Sequence, residues 1–538
     1  MKKKMVIASL CLSLLGFHSA EAAKPNLSVY WEADGKDKIV LTKEAYEHDG
    51  QIWIPSNVVP TLNRKASVKN GNQHVSIPMA KLRTEYKDLN RLLMRELELS
   101  FQTQYKNGKH YFAVTEPAEV LGVEVKKTKK SIILKEESGK RYLKQEENKD
   151  EPAIEGKINL VWDVMTEATR QKDKIAGLDI LSPTWFDIID RDGTLRNKAK
   201  RAYVDEAHAK GYRVWALVTN NFDRNLTRDV LADSRARENV IRQLAIYSMI
   251  YDLDGINIDF ENVYDDDKDR LTAFVGEMSD MFRRMGIITS IDVTVPAQSS
   301  YWSLCYDRKA LAEKVDYMMV MTYDEHWASC PTSGSVASLP WTENNIKKML
   351  KLVPKEKLLL GIPLYTREWV ETKTNGKIRT KSQTRWMKDV EEIIRDKNVT
   401  PTWLPESGQD YLEYQENGKT HRIWVENAKS IKERLSLVHK YDLAGVASWR
   451  KGFETEDVWP IYYDSLKPMP TKQETVAVEE IKAEQSDKDK KKEKRKKDKK
   501  KKKNKKDKKD KKDKKDKKDK KKDRHKKKKS DDSLTNEK

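Results

Sequence analysis

Cysteine is scarce: the 538-residue chain has three, and one of them, Cys11, lies inside an N-terminal apolar run. That excludes a disulfide-stapled scaffold, and no two of the three stand at a metal-ligand spacing. Cys305 and Cys330 both fall near expected strand ends, where a pair and two buried free thiols are equally compatible with the sequence. Long apolar runs are also missing. The run from Met5 to Phe17 follows Lys2-Lys3-Lys4 and precedes Ala20-Glu21-Ala22, is too short to span a bilayer, and reads as an export signal over residues 1–23. Cys11 has no small residue immediately before it, which argues against a lipid anchor. Histidine is sparse too, and His48, His74 and His110 are scattered, so neither a metal nor a cofactor is expected. The mature chain is predicted to be exported, soluble or wall-associated, without a transmembrane segment.

Apolar residues are absent from the highly charged C-terminal segment. Between Lys488 and Lys529 there are 31 Lys and Arg against 9 Asp and Glu, while the whole protein carries +20. The rest of the chain therefore carries −2, and the basic character belongs to the tail. Lys505 to Asp519 is five Lys-Lys-Asp units, which cannot build a core, so a disordered tail is expected over 469–538. In an exported protein such a segment is expected to hold anionic wall or spore polymers, or anionic lipid headgroups, through counterion release; no specific nucleic acid is implied.

Residues 24–150 read as a small, β-rich α+β domain. Asp49-Gly50 and Asn107-Gly108 are hairpin turns, each followed by a strand, a short helical stretch and another strand, so the two halves look like loose repeats. The second half, with Lys109-His110-Tyr111-Phe112, Leu121-Gly122-Val123-Glu124-Val125 and Ser131-Ile132-Ile133-Leu134, resembles the copper amine oxidase N-terminal-like domain of bacterial surface proteins. The resemblance implies a wall-binding or spacing role and no copper. After a charged link, residues 155–468 alternate apolar β-rich runs with helical segments, the pattern of a parallel α/β barrel. The predicted strands are Ile158–Trp162, Ile180–Thr184, Arg213–Val218, Gly255–Glu261, Ile288–Val295, Tyr317–Thr322, Leu358–Leu364 and Gly445–Trp449. Between the last two sits a small α+β insertion, about 370–428, with a hairpin at Asn417-Gly418.

The densest chemistry is in Asp254-Gly255-Ile256-Asn257-Ile258-Asp259-Phe260-Glu261. On a strand, Asn257, Asp259 and Glu261 share one face. Two residues of strand put Asp259 and Glu261 roughly 6.6 Å apart between Cα atoms, close enough for each charge to perturb the other. A carboxylate nucleophile and an acid would have to flank a scissile glycosidic bond from opposite sides, which adjacent positions on one strand cannot do. The pair instead suits attack by a substrate's own 2-acetamido carbonyl, with Asp259 orienting the acetamide N–H and Glu261 as acid.

The segment resembles the Asp-Gly-x-x-x-Asp-x-Glu signature of family 18 glycoside hydrolases, which implies a TIM (β/α)8 barrel and substrate-assisted retention. Many chitinases of that family have Asp where this chain has Asn257; the Asn is similar to spore-cortex and cell-wall N-acetylglucosaminidases. A neutral amide there is expected to leave Asp259 anionic more of the time. Met321-Thr322-Tyr323-Asp324 matches the family's Met-x-Tyr-Asp element, implying that Tyr323 supports the acetamide oxygen and that Asp324 binds sugar hydroxyls or sits around the acid. Trp449 is the expected floor under the sugar at the cleavage site. Asp254, Asn257 and Asn220 are placed with the substrate-binding set, and Trp185, Trp327 and Trp369, all expected just past strand ends, are candidates for the groove. The function implied is hydrolysis of β-1,4 bonds beside N-acetylglucosamine in peptidoglycan or spore cortex. Chitin oligomers are the alternative substrate, and a non-catalytic carbohydrate-binding wall or spore-coat protein is the rival reading.

Overall fold

Eight runs of mostly apolar residues are buried on both faces, a condition met by a parallel sheet with helices outside and side chains filling the inside. The computed structural model describes residues 27–33, 37–48, 51–62, 66–69, 73–79, 83–84, 97–115, 117–128, 131–136, 142–143, 153–164 and 174–467. The export signal, the Lys-rich tail and much of the charged link lie outside them. β1 (Ile158–Asp163), β2 (Ile180–Ile188), β3 (Arg213–Thr219), β4 (Gly255–Asp259), β5 (Ile288–Thr294), β6 (Tyr317–Met321), β7 (Leu358–Pro363) and β8 (Gly445–Trp449) are parallel neighbours in chain order, and β1 pairs with both β2 and β8. The barrel is closed.

Alternation decides which residues fill it. Leu160, Ile180, Trp215, Leu217, Met319 and Leu359 pack inside, while Val161, Ile256, Ile258, Ile291, Val320 and Leu360 face the helical layer. Gly255 is required by this packing. A Cβ there would lie 2.5 Å from the Trp215 ring.

β2 runs four residues beyond its expected end, through a register shift between Thr184 and Phe186. It carries an antiparallel partner strand, Leu195–Asn197. The insertion after β7 is a five-stranded antiparallel sheet and the helix Met387–Lys397. It opens with the long hairpin Tyr365–Thr374 and Lys377–Trp386, so it starts about as soon as β7 ends.

In the N-terminal region, strands 27–32, 39–48, 51–55, 104–106, 109–113, 123–127 and 131–136 form one sheet, and strands 67–69, 74–79 and 97–102 another. Both expected hairpins pair in register, His48 with Gln51 and Lys106 with Lys109. Asn107 and Gly108 take φ of 49° and 79°, the left-handed pair that a two-residue hairpin turn of this kind needs. His110 Nδ1 lies 2.9 Å from the Thr103 hydroxyl, and His74 is buried.

Leu97–Gln102 docks against the helix Ser234–Tyr251. The Tyr247 hydroxyl donates to Ser100 O at 3.0 Å and accepts from Ser100 N at 3.2 Å, while its ring stacks on Phe186. This contact buries Tyr247 from the outside as the barrel buries it from within. No helix among the described residues is long and apolar enough to cross a membrane.

Candidate active site

The C-terminal mouth of the barrel is where parallel-barrel chemistry sits, and β4 delivers two polar residues into its interior. Asn257 is the deeper one and is wholly buried. Its Oδ1 accepts from Trp162 Nε1 at 2.9 Å and from Ser182 at 3.3 Å; its Nδ2 donates to Asp292 Oδ1 at 3.0 Å and to Ser290 at 3.2 Å. Both ends of the amide are used, and an ionised carboxylate could not make the donating half. Asn257, expected in the substrate-binding set, therefore lies one layer below it and cannot reach a sugar.

Asp259 is the next inward residue, with one buried oxygen, Oδ1, that has no hydrogen-bond partner. Burial, then the charges of Glu261 and Asp292, raise its carboxyl well above the usual range. The expectation that Asn257 leaves Asp259 more anionic is thus corrected: the negative neighbour missing from β4 is supplied by Asp292 on β5. Asp292 is itself buried and raised, first by desolvation. Glu261, two residues past Asp259, is pushed up to about 7 by burial and then by the charge of Asp324. Such a group is protonated part of the time at neutral pH and ionised the rest, as acid–base work requires.

The turn carrying Glu261 is held from both sides. Asn220 Nδ2 donates to Glu261 O at 2.7 Å and Asn220 Oδ1 accepts from Glu261 N at 3.1 Å, while the Tyr306 hydroxyl donates to Phe260 O at 2.9 Å. Asn220 is fully buried. Its amide is consumed by backbone and by Thr227 at 2.8 Å, so it positions Glu261 and does not meet a sugar.

Aromatic rings line the space above the carboxylates. Trp162 meets Tyr323 edge-on at 6.5 Å and Trp449 at 5.9 Å, and Tyr323 meets Tyr365 at 6.3 Å. Burial and the nearby charge of Asp292 keep the Tyr323 phenol protonated, an O–H donor facing the acids. Asp324, in the left-handed region with φ of 59°, accepts from Tyr365 Oη and Arg367 Nη2, both at 2.8 Å. Trp449 and Tyr323 are half-buried, and Trp327 is exposed on the rim, donating to Ser329.

Three other expected site residues are elsewhere. Asp254 sits at the opposite, N-terminal end of β4, accepting from Val214 N at 2.6 Å and bonded to His208 Nε2 at 2.8 Å. Trp185 lies inside the lengthened β2 and packs on Tyr203 at 5.1 Å in the helical layer. Trp369 belongs to the insertion sheet, fully buried, with its indole N–H on Gly334 O at 2.8 Å. Cys305 and Cys330 are buried free thiols. Asp292, Trp162 and Tyr365 were missed from sequence. The readable signal for Asp292 was the single charged residue in the run Ile288–Val295, on the same face as Ser290.

Residues 210–453, which contain this site, match the model of glycosyl hydrolases family 18. The chain is similar to the uncharacterized glycosylase YvbX of Bacillus subtilis, 28% identical over 284 residues, or 50% of this chain and 80% of the relative. It also resembles the cortical fragment-lytic enzyme of Bacillus subtilis, 24% identical over 255 residues, covering 46% of this chain and 58% of that one. A third relative, human di-N-acetylchitobiase, is 26% identical over 303 residues, with 49% and 74% covered. The chain thus spans four fifths of the first relative's length but little more than half of the cortex-lytic one's. In fold, the barrel is like two solved structures. The spore cortex-lytic enzyme SleL of Bacillus cereus matches with TM-score 0.52 at 20% identity, over 59% of this chain and 76% of that one. A chitinase of Chromobacterium violaceum matches with TM-score 0.51 at 20% identity, over 58% and 100%.

Proposed function

We propose that the protein is an exported hydrolase that cleaves β-1,4 bonds beside N-acetylglucosamine in peptidoglycan or spore cortex, with retention through the substrate's own acetamide. The observation that carries this reading is the pairing, at one end of β4, of Asp259 with a buried unpartnered oxygen and Glu261 with its carboxyl raised to about 7. Glu261 protonates the leaving oxygen while the acetamide carbonyl attacks the anomeric carbon. Asp259 accepts the acetamide N–H, and the Tyr323 hydroxyl donates to the acetamide oxygen. Ionised Glu261 then takes a proton from water as it opens the oxazolinium ring, which restores the starting anomer. Trp449, beside Trp162 at the mouth, gives the sugar ring an aromatic face.

The relatives named for cortical fragments favour a bacterial wall polymer, and the relative named di-N-acetylchitobiase keeps chitin oligomers as the second substrate. Incubation with purified peptidoglycan, cortex fragments and chitin oligomers, followed by mass analysis of released sugars, tests the reading. Products with reducing N-acetylglucosamine ends are expected from the wall polymers. Cleavage of chitin oligomers alone would move the substrate to chitin, and no product from any of them would favour the non-catalytic binding protein.

The Lys-rich tail is proposed to retain the enzyme on anionic wall or spore polymers. The 24–150 region, by its likeness to copper amine oxidase N-terminal-like domains, is proposed as a spacing or wall-binding unit. Removing residues 488–529 and following retention on purified walls across a salt series separates the two. Salt-sensitive retention lost with the tail is expected; unchanged, salt-insensitive retention would assign the anchoring to the N-terminal unit.

A further inference from the structure

β4 and β5 are paired in register through Ile258 and Ile291. One step further, Asp259 and Asp292 are neighbours on adjacent strands, about 4.8 Å apart across the sheet, and both point into the barrel. Both are buried, and among the described residues no Lys, Arg or His pairs with either of them or with Glu261. Two carboxylates this close, shut away from water and without a cation, do not ionise together; they keep one proton between them. Asn257 fixes the geometry of that pair. Its Nδ2 donates to Asp292 Oδ1, its own Oδ1 is turned toward Trp162 and Ser182, and the Trp162 indole also reaches the Asp292 carboxyl.

We propose that Asp292 is the positioning residue for Asp259: from β5 it shares a single proton with Asp259, a task that Asn257, an amide, cannot perform from β4. This rests on the reading of Asp259 as the group that orients the acetamide. In the free enzyme the proton lies between the two carboxylates. When a substrate N–H arrives, Asp259 takes it as a full carboxylate and the proton sits on Asp292; when product leaves, the proton returns to the shared position. The only covalent bonds that change are O–H bonds, and the pair's charge stays at −1 throughout. The other ionisable groups facing the pair are Glu261 beyond the end of β4, Tyr323 beyond the end of β6 and Tyr306 in the loop after β5. The two phenols remain neutral, which leaves Glu261 as the group to silence beside the pair; Glu426, buried and raised to about 7 away from it, contributes equally to every variant compared.

The plain alternative is that Asp292 only anchors the Asn257 amide. The experiment counts protons in a Glu261→Gln background. The folded protein should hold on the pair one proton that the unfolded chain has released, so stability should fall with rising pH above the unfolded carboxyl range, and more steeply than when Asp292 is also replaced. The infrared C=O stretch of a protonated carboxyl should be present at neutral pH. Adding Asp292→Asn should reduce both, since Asp259 then keeps only the upward shift that burial gives it. An unchanged slope, or no protonated carboxyl in Glu261→Gln alone, overturns the shared proton even if the Asp292 variants fail to fold. In the otherwise native enzyme, Asp292→Ala should lower kcat roughly tenfold or more with little change in KM, and Asn257→Asp added to it should restore most of the loss by transposing the acid to β4. A kcat within about twofold of the native enzyme in Asp292→Ala, or no recovery in the transposed pair, overturns the positioning role. The proton count needs no substrate, so it stands or falls separately from the hydrolase reading, which fails if Glu261→Gln is still active.

Discussion

The Asn220 side chain clasps the backbone of Glu261 at both ends, donating to its carbonyl at 2.7 Å and accepting from its amide at 3.1 Å. β3 ends at Thr219 and β4 at Asp259, so the residue that carries the acid is outside both strands and would otherwise have no ladder to hold it. Asn220→Ala removes both bonds and leaves two buried backbone groups unsatisfied, a cost of about 1–3 kcal/mol. Because Glu261 must sit within hydrogen-bond reach of the leaving oxygen, kcat should fall about 10–100-fold. A variant that loses stability but keeps kcat would show that Glu261 is held well enough by the Tyr306–Phe260 bond.

Glu261 as general acid predicts an alkaline limb. The carboxyl is raised to about 7, so kcat/KM should decline as pH rises through about 7, where the proton to be donated is lost. Glu261→Gln should remove most of the turnover, a factor of about 100 or more, with circular dichroism unchanged. The same shift sets a sign for stability. A carboxyl raised in the folded state stabilises it below the unfolded value, near 4.5, and that contribution is lost as pH climbs through about 7. Glu261→Gln should therefore be more stable than the native protein at pH 8, by about 1–3 kcal/mol, and no more stable at pH 4. A variant less stable at pH 8 would mean that the carboxylate is better solvated than its surroundings imply.

Most of the barrel was legible because Val-, Ile- and Leu-rich runs such as Ile158–Asp163 and Leu358–Pro363 are long enough to announce buried strands. Interior residues were harder. In a strand a shift of one residue turns a side chain to the other face: Trp185 faces the helical layer by plain alternation from Ile180, and the register shift between Thr184 and Phe186 turns Phe186 out beside it. Asp254 belongs to the right motif but to the wrong end of the strand, and spacing alone does not say which end faces the cleft. Asp292 was visible as an isolated carboxylate, yet its meaning depends on β4–β5 register, a long-range relation that no local pattern encodes.

Asp254 therefore has a structural assignment to test. Its Oδ2 satisfies Val214 N and meets His208 Nε2, tying the foot of β4 to β3 and to the helix Arg201–Ala209. Asp254→Ala should cost about 1–3 kcal/mol by stranding the Val214 amide, a drop of a few degrees in Tm, while kcat and KM stay near native at temperatures where the variant is folded. A raised KM would return Asp254 to the substrate.

Tyr247 offers the corresponding test for the N-terminal sheets. It is fully buried, with its hydroxyl shared between Ser100 N and Ser100 O and its ring against Phe101 and Phe186. Tyr247→Phe keeps the ring packing and deletes the two hydrogen bonds, so about 1–2 kcal/mol should be lost at the seam alone. Local opening is governed by the weakest contacts of a segment. Amide exchange should accordingly accelerate in Leu97–Gln102 while β4 and β5 keep their protection, and kcat should be unaffected. If protection fell equally across the barrel, the sheets and the barrel would unfold as one cooperative unit, and Tyr247 would be part of a common core.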